Sequence, residues 1–100
     1  MEEHETGAGY EAAAELLRSI SAPLRIAIVV ELAKEPRHVH ELVDLLSVSQ
    51  PLVSQHLRIL RSAGVVRGVR TGREISYSLV DDHIAHIVTD AVHHAQEGHH

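Results

Sequence analysis

Apolar residues recur at helical spacing along most of the chain. This pattern predicts helices over residues 10–20, 22–34, 39–46, 50–62 and 82–96. The fourth of these helices carries an apolar stripe that we expect to be buried against the others, formed by Val53, Leu57 and Leu60.

Serines, prolines and a glycine mark the helix boundaries. Ser21 precedes Pro23 and Ser49 precedes Pro51, so each serine is a predicted N-cap with a proline in the first turn of its helix. Gly64 is the predicted stop of the fourth helix. Only a short turn separates the third and fourth helices, which is typical of a helix-turn-helix.

The hydrophobic pattern becomes alternating after the fourth helix. Residues 65–70 and 73–79 alternate apolar and polar side chains across a Thr-Gly pair, which predicts a β-hairpin with Arg70 and Arg73 beside its tip. The predicted fold is therefore mainly α with a small β-hairpin wing. It is a winged helix-turn-helix in which four helices precede two strands and a last helix follows them.

A chain of 100 residues makes one domain, predicted over residues 10–97 after a polar, disordered arm over residues 1–9. Two Tyr are the only aromatic residues, so the core must be aliphatic. Because so small a domain buries a modest share of its surface, we expect a homodimer. No apolar run approaches the roughly 18 residues of a membrane span and the N-terminus does not resemble a signal peptide. These features favour a cytoplasmic protein without a membrane partner.

The charge is unevenly distributed along the chain. The formal net charge is −5, yet no acid lies between Asp44 and Glu74. Five arginines occupy that stretch: Arg58, Arg61, Arg67, Arg70 and Arg73. Because surface potentials are screened beyond about 10 Å, a local basic surface on an acidic protein can still hold phosphates.

The fourth helix presents polar side chains away from its apolar stripe. These residues are Gln50, Ser54, Gln55, Arg58 and Arg61. Gln and Arg can form paired hydrogen bonds with base edges in the major groove, and the two hairpin arginines suit phosphate or minor-groove contacts. The sequence therefore predicts that this helix recognises double-stranded operator DNA.

Three short motifs lie within the helix-turn-helix and the hairpin. They are Ser-x-His-Leu-x-x-Leu over residues 54–60, Ala63-Gly64, and an Arg-x-Gly-Arg…Tyr-x-Leu hairpin formed by Arg70, Gly72, Arg73, Tyr77 and Leu79. Together with a Pro-x-Arg motif that starts at Pro23, these motifs resemble those of the ArsR/SmtB family of metal-sensing repressors, and most of all those of its zinc-sensing SmtB-like branch. We expect His56 to be a half-buried packing residue rather than a metal ligand.

Ten residues are His, and six of them follow residue 82. On the last predicted helix, His83, Asp90, His94 and Glu97 lie beside an apolar stripe and within about 60° of one another. Asp81 can cap this helix and turn toward the same side. His83 and His94 are eleven residues apart, which corresponds to about 16 Å along the axis. One helix therefore cannot bring both to one ion.

Two antiparallel copies of the helix remove this difficulty. Asp81 and His83 of one subunit would then meet His94 and Glu97 of the other, which gives two equivalent sites per dimer. Two imidazoles and two carboxylates suit tetrahedral Zn²⁺, with Co²⁺ or Ni²⁺ as alternatives.

The family resemblance implies the same ligands. Its last-helix site has the pattern Asp-x-His, ten residues, His-x-x-Glu, and all four positions match at Asp81, His83, His94 and Glu97. It also implies a repressor that binds its operator when metal-free and releases it on metal binding. A hydrogen bond from His94 to a carbonyl near Gly64 would link the site to the fourth helix. An enzyme is not expected, because four protein ligands leave no open position for water.

A second family site uses thiolates near the start of the third helix, but the chain has no Cys. His38 and Glu41 occupy that region beside His40, and His4 of the other subunit is a further candidate ligand. Solvated capping residues are the alternative interpretation.

The sequence leaves three further alternatives open. A nickel or cobalt sensor with six ligands could recruit His86, His93, His4 or His99. A winged-helix repressor could instead respond to a non-metal signal. His99 and His100 could be remnants of a purification tag.

Overall fold

The computed structural model describes the backbone of residues 2–97 and the side chains of residue 7 and residues 9–97, so His99 and His100 lie outside it. Its elements are α1 (Glu2–Ile20), α2 (Pro23–Lys34), β1 (Arg37–His38), α3 (Val39–Leu46), α4 (Gln50–Ser62), β2 (Val66–Thr71), β3 (Glu74–Leu79) and α5 (Asp82–Glu97). This arrangement is a winged helix-turn-helix and confirms the predicted fold class. Within the described residues, no helix is long and apolar enough to cross a membrane.

The core is entirely aliphatic, as the composition requires. Val53, Leu57 and Leu60 of α4 are 0–1% exposed, which confirms the predicted buried face of this helix. They belong to one cluster whose other buried members are Ile20, Ile28, Val29, Leu32, Leu42, Val65, Val66, Ile84 and Val88. Every helix thus contributes to the core that positions α4.

The wing contains a strand that the sequence pattern did not reveal. β1 pairs antiparallel with β3, so the sheet has three strands in the order β1-β3-β2 instead of the predicted two. Two residues are too few for an alternating pattern to be recognised. The pairing of Arg37 with Tyr77 also joins positions far apart in the chain.

The two predicted serine caps have different outcomes. The Ser49 hydroxyl accepts a hydrogen bond of 3.4 Å from the Leu52 N–H, which confirms it as the cap of α4. The prediction for Ser21 is wrong, because the N-cap of α2 is Ala22 and has no side-chain hydrogen bond. The Ser21 N–H instead donates to the Arg18 carbonyl at the end of α1. The short α1–α2 connection therefore ends one helix rather than capping the next.

The other end of α4 follows the prediction, whereas the start of α1 does not. Gly64 has a φ of 76°, the left-handed conformation that glycine adopts readily after a helix. α1 begins at Glu2, earlier than the predicted start at residue 10. Residues 2–9 carry no apolar stripe, so hydrophobic periodicity could not assign them to the helix.

Gly68 of β2 lies directly against side chains of β3. A Cβ at this position would be 2.8 Å from Ile75 Cγ2 and 3.1 Å from Tyr77 Cε1. We expect Gly68→Ala to lower the free energy of unfolding by about 1–3 kcal/mol, because both neighbours must move. Urea denaturation measures this change.

Gly9→Ala is the matched control, because a Cβ at Gly9 in α1 meets nothing within 4 Å. This variant should be neutral or stabilising by up to about 1 kcal/mol, since alanine favours helix. Equal stability of Gly68→Ala and the unsubstituted protein would contradict the close packing of the wing.

Candidate DNA-binding surface and metal ligands

The face of α4 opposite the core holds the residues predicted to contact DNA. Apart from half-buried Ser54 they are exposed, namely Gln50, Gln55, Arg58 and Arg61. Ser54, Arg58 and Arg61 line a shallow cavity of about 210 Å³ together with Tyr77 of the wing. The buried stripe on the other side of α4 fixes the direction in which these side chains point.

Two exposed arginines extend this surface to the tip of the wing. Arg70 is on β2, and Arg73 is the second residue of the two-residue loop between β2 and β3. The first loop residue, Gly72, has a φ of 67°, as a type II′ hairpin turn requires. The turn thus places both cations beside the end of the hairpin.

No carboxylate forms an ion pair with the arginines of this surface in the described part of the chain. The ion pairs there involve none of the five arginines between Asp44 and Glu74. Arg37, by contrast, contacts both Glu31 and Glu35. Arginines without an internal partner remain available to phosphates.

His56 packs on the flank of α4, where a half-buried position was predicted. Its Nδ1 lies 3.1 Å from Nη1 of Arg25 in α2. Burial, with the Arg25 charge as a second cause, lowers the pKa of His56 below its ordinary value of 6.5. The neutral ring can therefore accept the hydrogen bond that joins α2 to α4. Sequence analysis missed this role of Arg25, whose only signal was the Pro-x-Arg step.

One half of the predicted metal site lies at the start of α5. Asp81 caps the helix, because its Oδ1 accepts hydrogen bonds from the N–H groups of His83 at 2.9 Å and Ile84 at 3.3 Å. His83 Nδ1 lies 3.7 Å from the same oxygen, and the His83 side chain is 89% exposed. Asp81 and His83 are therefore close together and open to a second molecule.

The other half, His94 and Glu97, is exposed at the far end of α5. Glu97 lies near His93, with 3.5 Å between Oε2 and Nε2. Among the side chains that the structure describes in one subunit, no three His, Cys, Asp or Glu are placed to hold a metal ion. The length of α5 explains this, since the two halves lie about 16 Å apart. Their exposed imidazoles and carboxylates fit Zn²⁺ chemically, but only if a second subunit completes the set.

An apolar groove of about 450 Å³ runs between α1 and α5. Its lining includes Leu17, Ile20, Ile26, Ile87, Ala91, Val92 and Ala95. Leu17 is 51% exposed and Ile87 is 42% exposed. The apolar stripe of α5 is therefore divided between the core and an uncovered surface beside the predicted ligands.

The candidate second metal site has a different arrangement from the predicted one. Glu41 Oε1 accepts a hydrogen bond of 2.7 Å from the His38 N–H, and this bond is the main reason that the pKa of Glu41 is lowered. The His38 and His40 rings stack with centroids 5.6 Å apart. Their Nδ1 atoms lie 3.6 and 3.1 Å from Glu74 Oε1. Glu41 is thus a helix cap, and Glu74, which sequence analysis missed, faces the two rings.

Two further expectations stay predictions. The side chain of His4 is outside the described part of the structure. The hydrogen bond from His94 to a carbonyl near Gly64 also stays a prediction, because the structure contains a single subunit.

The helix-turn-helix, the arginine-tipped wing and the flanking first and last helices define the class of winged helix-turn-helix regulators. Residues 22–67 match the family described as Bacterial regulatory protein, arsR family. The chain is 64% identical over 87 residues to the HTH-type transcriptional repressor SmtB of Mycobacterium tuberculosis, which covers 87% of this chain and 64% of that protein. This chain thus spans slightly less than two thirds of that relative.

Two further proteins support the same assignment. The HTH-type transcriptional regulator NmtR of M. tuberculosis is 37% identical over 86% of this chain and 72% of its own length. The transcriptional repressor PagR of Bacillus anthracis superimposes with a TM-score of 0.77 at 34% identity, covering 84% of this chain and 97% of PagR. The chain belongs to the ArsR/SmtB family of transcriptional regulators, whose named members here are not enzymes.

We expect NMR titration to give His56 a pKa below 6.5, because burial disfavours its charged form. The unfolded chain then binds the proton more readily than the folded chain does. The stability that depends on neutral His56 is therefore fully present above pH 6.5 and is lost as the pH falls through the lower pKa of the folded state. Arg25→Gln removes the Arg25 charge, which is the second cause of the lowered pKa, and should raise the pKa of His56 toward 6.5. A value at or above 6.5 in the unsubstituted protein would contradict the burial of the ring.

Proposed function

We propose that the chain is a homodimeric transcriptional repressor that binds operator DNA when metal-free and releases it when Zn²⁺ binds between the last helices. The arginine-rich surface shared by α4 and the wing, formed by a stretch of sequence with no acid between Asp44 and Glu74, is the observation that carries the DNA-binding part. A helix about 10–12 Å wide fits a major groove about 12 Å wide. The proposed DNA contacts are Gln50, Ser54, Gln55, Arg58, Arg61, Arg70 and Arg73.

Dimerisation is proposed through the groove between α1 and α5. Leu17 and Ile87 expose apolar surface there, and an exposed apolar patch of this kind marks an interaction site. A two-fold axis would also present two copies of α4 to successive major grooves of the same duplex. A second subunit therefore serves both the apolar groove and DNA recognition.

The same dimer would complete the metal site. Asp81 and His83 of one subunit would bind Zn²⁺ together with His94 and Glu97 of the partner subunit. Asp81 can do so without losing its capping role, because both capping bonds use Oδ1 and leave Oδ2 free. The bound ion would supply a cross-link between the two copies of α5.

Coupling between the two sites is proposed to pass through α5. Ile84 and Val88 are buried in the core that also holds α4, while Ile87 and Ala91 face the proposed dimer interface. A change in the packing of the two α5 helices would therefore change the angle between the two recognition helices. A hydrogen bond from His94 to a carbonyl near Gly64 would add a direct route. Metal and DNA must then weaken each other's binding by the same factor.

A six-coordinate nickel or cobalt site is the second candidate. It is favoured by the 3.5 Å separation of His93 Nε2 and Glu97 Oε2, since His93 could then join the ligands beside Glu97. The absorption spectrum of the Co²⁺ form separates the two cases, because four-coordinate and six-coordinate sites absorb differently.

We expect Arg58→Ala to weaken operator binding roughly tenfold, because it removes an exposed cation from the recognition helix. Fluorescence anisotropy with a labelled duplex in metal-free buffer measures the dissociation constant. Lys34→Ala is the control, since Lys34 pairs with Glu31 on another surface and should not affect DNA binding. Unchanged DNA affinity of Arg58→Ala would remove Arg58 from the contact set.

We expect His94→Gln to keep operator binding in metal-free buffer but to need at least about tenfold more Zn²⁺ for release, because one ligand is lost. Equilibrium dialysis of the unsubstituted protein should give one Zn²⁺ per subunit. Release of His94→Gln at the same Zn²⁺ concentration would show that the ligand set is wrong. A comparable loss in His86→Gln or His93→Gln would instead favour the six-coordinate site.

A further inference from the structure

A second groove, of about 530 Å³, lies where the end of α1 and the start of α2 meet the flank of α4. Its polar lining consists of Glu15, Arg18, Ser19, Arg25, Arg58 and Ser62. Glu15 pairs with Arg18 at 3.5 Å, and both side chains are largely exposed. Arg25 and Arg58 form no ion pair in the described part of the chain, so their charges dominate the groove.

Arg25 is held in place without a counter-ion. Its Nη1 lies 3.1 Å from His56 Nδ1, which is a neutral acceptor when the ring is unprotonated. Its Nε is buried and has no hydrogen-bond partner among the described residues. Half-buried Arg37 also has an unpartnered Nε, but its terminal nitrogens contact two glutamates. A partly buried guanidinium without a carboxylate is costly, and a bound anion would offset that cost.

The start of α2 adds positive potential beside Arg25. Arg25 is the third residue of this 12-residue helix, whose first turn has no acidic residue and whose N-cap makes no side-chain hydrogen bond. The free N–H groups of a helix N-terminus attract anions. An uncapped terminus and a guanidinium without a counter-ion therefore coincide at one place.

The groove is continuous with the proposed DNA-binding surface. Arg58 lines both this groove and the shallow cavity that it shares with Ser54 and Arg61. When a recognition helix lies in the major groove, side chains on its flank face the sugar-phosphate backbone. Arg25 lies on that flank, because it contacts His56 of α4.

We propose that Arg25, with Arg58 beside it, holds one backbone phosphate of each operator half-site in this groove. The inference rests on the proposed DNA-binding function and adds a contact from α2 to those of α4 and the wing. A phosphate there would set how deeply α4 enters the major groove without reading the sequence.

The first test measures the salt dependence of operator binding by Arg25→Gln. The duplex is one that the unsubstituted protein selects from random sequences in metal-free buffer. We expect weaker binding and a fall of about two in the slope of log K against log salt concentration, since each subunit of the proposed dimer loses one phosphate contact. Lys34→Gln, at the other end of the same helix, is the control and should keep the slope. An unchanged slope for Arg25→Gln overturns the proposal.

The second test replaces single phosphates of the selected duplex with neutral methylphosphonates. At one position per half-site, we expect the unsubstituted protein to lose affinity by about the same factor as Arg25→Gln does. Combining that duplex with Arg25→Gln should cause no further loss, because both changes remove the same contact. Purely additive losses at every position overturn the proposal.

A third measurement covers the case in which Arg25→Gln fails to fold. In the unsubstituted protein, the NMR resonance of the Arg25 Nε–H should move when the operator is added, and should not move with the duplex that is neutral at the assigned position. The proposal is overturned if inorganic phosphate alone shifts this resonance and no methylphosphonate near Arg25 weakens operator binding. The groove would then bind a free anion. Failure of the unsubstituted protein to select any duplex would instead contradict the proposed DNA-binding function.

Discussion

The burial of one face of α4 is the constraint on which the rest of the structure depends. Val53, Leu57 and Leu60 are 0–1% exposed in a cluster that includes side chains from every other helix. Burying each such side chain stabilises the fold by roughly 1.5–3 kcal/mol. A rotation of α4 that exposed all three would cost a large part of the net stability of about 5–15 kcal/mol expected for a small domain. The apolar face therefore fixes the direction of the polar face, including Gln55 and Arg58.

The features that the sequence predicts correctly have a local physical signal, whereas the features that it does not predict depend on distant parts of the chain. The apolar stripe of α4, its Ser49 cap and its stop at Gly64 all lie within one segment, and all three are confirmed. β1 was missed because its pairing with β3 joins residues far apart in sequence. The contact between Arg25 and His56 was missed for the same reason, since it joins α2 to α4. The metal-ligand set cannot be tested in one subunit, because the helix length separates its two halves.

The distribution of charge accounts for a DNA-binding surface on a protein with a net charge of −5. Glu31, in the last turns of α2, and Glu35, just after it, contact Arg37. The stretch from α4 to the wing tip has no acid of its own until Glu74, and the rings of His38 and His40 face that carboxylate. Because exposed charges are screened within about 10 Å, the acids elsewhere weaken the local potential little.

The position of α5 lets one short helix contribute to the core and also take part in the proposed dimer interface and metal site. Ile84 and Val88 hold it in the core, whereas Ile87 and Ala91 face the uncovered groove. The side chains proposed as metal ligands lie beside the uncovered groove, at opposite ends of the helix. A ligand that joins the proposed pair of α5 helices can shift an equilibrium only by its difference in affinity for the two dimer geometries. Since α5 packs mainly against α2, and α2 also contacts α4, a movement of α5 that the ligand favours would reach α4 through α2.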